Sequence, residues 1–224
     1  MRLITRHSDK LLVVFIAFSA FSNSCNTKTK KPVNPVIEET KPVPPDTIIR
    51  GNISYLSLDS LQNYITSAPT FTILNKLKAP FNKLVFNKII AYDYDGSEEP
   101  YPSVFGTDKK FIPIIEKQKA LNILQAKEII DLLTSASTYG DVTAACFNPH
   151  LSFVFYDSIK PVFNVDICLG CNYLIATEEI PAMDFKKINK GTEDEYSAIG
   201  FSDKGRLRIK QLGKQLKFYY GIVE

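Results

Sequence analysis

Four residues of this chain have the types and spacing to do chemistry together: Cys146 and His150, set as C-x3-H, and Cys168 and Cys171, set as C-x2-C. Thiols in an oxidising compartment commonly pair. A disulfide from Cys146 to Cys171 or to Cys168 would close a loop of about 25 residues and stabilise the fold by about 3 kcal/mol. A third cysteine is then left over. Zinc accounts for the odd count, because three thiolates and one imidazole complete a tetrahedral site and C-x2-C is ligand spacing. Redox catalysis by Cys168 and Cys171 is the third chemistry, and it relies on a helix N-terminus to activate one thiol. Here the motif ends a strand and runs into Asn172-Tyr173-Leu174 with no helix in view. Asn172 also occupies the place where c-type haem attachment needs histidine.

Whether these groups can meet depends on a hairpin. Leu151 to Tyr156 (LSFVFY), a turn around Ser158-Ile159, and Pro161 to Cys168 (PVFNVDIC) read as two antiparallel strands. In the second, Phe163, Val165 and Ile167 alternate with Asn164, Asp166 and Cys168, which predicts one apolar and one polar face, with Cys168 pointing away from the core. If Tyr156 pairs with Pro161, the same register places Ile167 opposite His150 and Cys171 opposite Cys146. All four groups then gather at the open end of the hairpin, where a disulfide or a metal would hold the strands together. Pro149 cannot donate to the ladder and bends the strand there.

Around the hairpin the spacing predicts three helices and a further strand. Ser57 is placed to cap a helix carrying Leu58, Leu61 and Ile65 on one side and ending before Pro69. Leu84 to Asp95 is rich in β-branched and aromatic residues and ends at an Asp95-Gly96 turn signal. Asn122, with Gln125 three residues on, opens a helix whose Ile123, Ala126, Ile130 and Leu133 share a face. A last helix begins near Ser202, with Ile209, Leu212 and Leu216 opposite Arg206, Lys210, Lys214 and Lys217; the basic side reads as an ordinary solvated face. Asp93 and Asp95, interleaved with Tyr92 and Tyr94, read as a solvated strand face and a turn. The expected fold is α+β, a small antiparallel sheet with a central β-hairpin and about three helices, in one domain over residues 51–224.

What precedes that domain reads as an address. Arg2, Arg6 and Lys10 flank the apolar run Leu11 to Phe21, which is too short to span a bilayer core of about 30 Å and fits a secretion signal over residues 1–24. Ser24 and Cys25 resemble a lipobox, in which the cysteine behind the cut receives diacylglycerol, although Ser22 stands where the pattern usually has Leu. Residues 25–50 are rich in Pro, Lys and Thr and read as an extended tether. The signal carries three basic residues against Asp9 alone, so most of the formal net charge of +3 is export machinery. No nucleic-acid footprint remains.

The run YGDVTAACFNPHLSFVFYD followed by VDICLGCNYL, with AYDYDG and EKQKALN before it, resembles a family of lipoproteins and secreted proteins of Bacteroidota-type bacteria. That family has no assigned activity, so the resemblance implies an envelope address and no catalytic residues. The sequence has no Gly-rich phosphate loop, G-x-S-x-G elbow, H-E-x-x-H or Rossmann fingerprint, and His150 is the one histidine beyond the signal. The expectation is therefore a membrane-anchored envelope lipoprotein, facing the periplasm or cell surface, with a non-catalytic module for a protein or small ligand. The alternative is a thiol- or zinc-dependent module built on Cys146, His150, Cys168 and Cys171.

Overall fold

A computed structural model describes residues 53–73, 76–96 and 101–222. The signal, the tether and Cys25 lie outside the described residues. The chain between is an α+β domain built on a five-stranded antiparallel sheet.

The sheet contains β1 (Lys88–Tyr94), β2 (Ile115–Ala120), β4 (Leu151–Asp157), β5 (Lys160–Cys168) and β6 (Tyr173–Ala176) in the order β2-β1-β4-β5-β6. The hairpin β4-β5 supplies the central strand of that order and the interior strand beside it, because β4 also pairs along its length with β1 and β5 with β6. Four two- or three-residue strand pieces lie outside it: β3 (Tyr139–Asp141) pairs with β9 (Gly200–Phe201), and β7 (Lys187–Ile188) with β8 (Tyr196–Ser197).

The three α-helices start where the sequence signals them. Helix α1 (Leu58–Ser67) begins at Ser57, whose side chain accepts from the Ser60 amide. Helix α2 (Ile123–Thr134) opens with a complete capping box: the Asn122 side chain accepts from Leu124 and Gln125, and Gln125 accepts in return from the Asn122 N–H. Helix α3 (Asp203–Gln215) is capped by Ser202, which accepts from Gly205. Replacing Asn122 by Ala should lower stability by about 1 kcal/mol, with Asn122→Ser largely retaining it. An unchanged urea midpoint in Asn122→Ala would show that packing alone sets this helix start.

Both faces of the sheet are covered, which the alternation in β5 does not foretell. On one face, Ile89, Ala91, Phe153, Phe155, Phe163, Val165 and Ile167 pack with Ile129, Leu133, Ile209 and Leu212 of α2 and α3. On the other, Ile90, Tyr92, Tyr94, Val154 and Tyr156 pack with Leu61 and Ile65 of α1 and with Val104, Ile112 and Ile115. Antiparallel sheets commonly leave one face wet; here α1 and the 101–114 segment close it. The expected polar face of β5 is therefore interior, and Asn164, Asp166 and Cys168 are all buried. On the opposite face, that of Ile89 and Ala91, the segment after α3 corrects the reading of Asp93, which is fully buried, while Asp95 is exposed as expected.

Candidate functional site

The hairpin end was expected to gather four groups, and its register decides which of them arrive. Tyr156 pairs with Pro161 as expected, but a bulge between Phe155 and Tyr156 shifts the rest of the ladder by one residue, so Ile167 faces Leu151 and not His150. A one-residue slip exchanges the faces on which side chains stand. His150 keeps its main chain in the sheet, donating from its N–H to the Ile167 carbonyl and accepting from the Tyr94 N–H. Its ring goes elsewhere. Nδ1 lies 3.2 Å from both the Gly96 amide nitrogen and the Tyr94 carbonyl oxygen, and the ring stacks on Tyr220 at 5.9 Å between centroids.

The three cysteines do come together. Residues Leu169 to Asn172 form the tight turn between β5 and β6, with Asn172 in the left-handed region at φ 63° and its N–H donating to the Leu169 carbonyl. That turn closes Cys168 onto Cys171 in a disulfide. The expected bond from Cys146 is thus replaced by one within the C-x2-C pair, because the turn folds that pair back on itself. Cys146 is a free, exposed thiol. It lies on the 142–149 segment, which arches over the turn: the Ala144 N–H donates to the Cys171 carbonyl, and the Asn148 N–H donates to Cys171 Sγ at 3.2 Å. Phe147 packs on both bonded cysteines and against Tyr173, with ring centroids 4.9 Å apart. This seats Cys146 Sγ 3.7 Å from Cys171 Sγ.

With the imidazole committed to Gly96 and two sulfurs bonded to each other, the donor set expected for zinc is not assembled. Among the described residues no group of three or more His, Cys, Asp or Glu is disposed to hold a metal.

Comparison with known proteins adds no assignment. No protein-family model matches the chain, and no curated protein or solved structure does.

Sequence reasoning missed two buried carboxylates. Asp93 accepts from the Tyr219 N–H at 2.6 Å and the Gly221 N–H at 2.9 Å, and burial lifts its carboxyl to about 6 against the pull of those two bonds. Asp166 accepts from the Tyr94 hydroxyl, the Val104 N–H and the Asn164 amide. Burial raises it as well, opposed by hydrogen bonds from Ser103, Val104, Ser152 and Tyr94. The oxygens of both carboxylates are occupied by groups that tie distant segments to the sheet, so their chemistry is structural. Only the Tyr-Asp-Tyr run of β1 and the Asn164 and Asp166 alternation of β5 hinted at them. Beside Asn164 a cleft of about 410 Å³ opens between Ser103, Phe105, Lys109, Val162 and Thr177.

Proposed function

We propose that this chain is a cell-envelope lipoprotein, anchored in a membrane through Cys25, whose folded domain is a non-catalytic module that binds a protein or small ligand. The observation that carries the reading is the buried Cys168–Cys171 disulfide, since such bonds persist in oxidising compartments. It agrees with the signal-like order of residues 1–24, with Cys25 behind Ser24, and with the resemblance to envelope proteins of Bacteroidota-type bacteria. The absorption of Asp93 and Asp166 into structural hydrogen bonds favours binding over catalysis. Among the described residues no helix is long and apolar enough to cross a membrane, so on this reading the lipid supplies the attachment.

The test is metabolic labelling in a bacterium with lipoprotein-processing enzymes. Wild-type protein should incorporate labelled palmitate and partition into detergent, and Cys25→Ala should do neither. Label retained in Cys25→Ala would overturn the anchor.

A second reading, a thiol-dependent module, is favoured by one specific contact: the 3.7 Å approach of the free Cys146 thiol to a disulfide sulfur.

A further inference from the structure

We propose that Cys146, Cys168 and Cys171 form a thiol–disulfide exchange site in which the exposed Cys146 thiol opens a buried disulfide to external thiols. The inference rests on the thiol-dependent reading above and names its chemistry.

Three observations meet at the site. Cys168 and Cys171 are 1% and 2% exposed, so an external thiol has no direct path to either sulfur. Cys146 is exposed and already touches Cys171 Sγ. The Cys171 N–H donates to Cys168 Sγ at 3.0 Å, so a backbone donor already points at the sulfur that would leave. A thiolate released at Cys168 is received by that donor, as anionic sulfur is stabilised by N–H groups directed at it.

The step needs no outside reagent. Cys146 loses its proton to solvent and its thiolate attacks Cys171 Sγ. A Cys146–Cys171 bond forms, the Cys168–Cys171 bond breaks, and the electron pair leaves on Cys168, which takes up a proton. One disulfide and one thiol are present before and after. What changes is access, because the new disulfide includes Cys146 Sγ at the surface. An external thiolate can then attack Cys146 Sγ and expel Cys171, giving a mixed disulfide on Cys146 and free thiols at Cys168 and Cys171. A second external thiol attacks the incoming sulfur of that mixed disulfide, frees Cys146 and departs as the oxidised external disulfide. The substrate class is thus a small or protein-borne thiol that gives up two electrons to the domain, or its disulfide in the reverse direction.

Phe147 fixes the reach of Cys146. Its ring is buried against the disulfide and Tyr173, so the neighbouring thiol is held over Cys171 and not left to a freely moving loop.

The test uses the full chain and reduced glutathione as the probe, with alkylation after acid quench and peptide mapping that reports Cys25 separately. Under native conditions, wild-type disulfide should be reduced at least about tenfold faster than in Cys146→Ser, because thiol exchange follows sulfur access. In urea the two rates should converge. In Cys168→Ser, mild oxidation with glutathione disulfide should produce a Cys146–Cys171 bond. Equal native reduction rates for wild type and Cys146→Ser would overturn the exchange proposal. If Cys168→Ser still formed the bond, the thiol-dependent reading would survive that loss. If it left Cys146 and Cys171 free, both would fall.

Discussion

Asp93→Asn should narrow the stability gap to wild type as the pH rises from 4 to 7, with most of the change falling between pH 4 and pH 6. Asp93 lies on β1, fully buried, and its two oxygens hold the amides of Tyr219 and Gly221. It thereby staples the segment after α3 to the sheet. Burial is the largest influence on its carboxyl and raises it; the two amide bonds lower it, the nearby Glu116 raises it and Lys117 lowers it, with the balance at about 6. In the unfolded chain the group ionises near its ordinary 3.8.

The sign follows from proton counts. Below about pH 4 the carboxyl is protonated in both states, so the group adds no pH dependence there. Between 4 and 6 the unfolded chain releases its proton while the native state keeps it, so unfolding becomes easier as the pH rises. Above 6 the native state also bears a buried charge, and the loss levels off. A displacement of about two pH units corresponds to roughly 3 kcal/mol. Asp166 is raised too and contributes a slope of the same sign, but it is common to both proteins and cancels in the difference if the sites are independent. Urea unfolding of both proteins at pH 4, 5, 6 and 7 measures the gap. Parallel curves would mean that Asp93 holds its segment without titrating in this range.

How the sequence betrayed some features and hid others has a physical pattern. Helix starts were legible because Ser57, Asn122 and Ser202 act on amides two or three residues away, so the whole interaction lies within one short window. The β4-β5 hairpin was legible for the same reason. Strand β2 was not, because Glu116-Lys117-Gln118-Lys119 sits half-buried at the sheet edge and shows no apolar alternation. Two-sided burial was hidden because tyrosines at 92, 94 and 156 look amphipathic, while in the fold Tyr92 and Tyr156 bond each other through their hydroxyls at 2.8 Å. The partners of Asp93 lie more than a hundred residues along the chain, beyond any local pattern. At the cysteines, convergence of the sulfurs was legible from the hairpin and the partner was not. A single bulge next to Tyr156 changed the face on which His150 stands, and the β5-β6 turn brought Cys168 within bonding reach of Cys171.

Asp166→Ala should be the most damaging single change at a polar residue, with a loss of about 3–5 kcal/mol. Its Oδ1 accepts from the Tyr94 hydroxyl and the Val104 N–H, each at 3.2 Å, and its Oδ2 from the Asn164 amide at 2.8 Å. Removing the carboxylate strands these three buried donors, and Ser103 and Ser152 also lose it as a partner, each stranded donor costing about 1–3 kcal/mol less whatever relaxation recovers. It also releases the 101–114 segment that covers this face of the sheet, so the Val104 amide should exchange with solvent much faster. The geometry makes a finer claim through the division of labour between the two oxygens. In Asp166→Asn the remaining oxygen can still serve Tyr94 and Val104, but the new NH2 meets the NH2 of Asn164, donor against donor. Adding Asn164→Asp turns that clash back into a donor and an acceptor. The double variant Asn164→Asp/Asp166→Asn should therefore be more stable than Asp166→Asn alone, and the double-mutant cycle should show a coupling of about 1–3 kcal/mol. Additive losses across the cycle, or an Asp166→Ala protein within about 1 kcal/mol of wild type, would mean that the carboxylate does not hold this layer together.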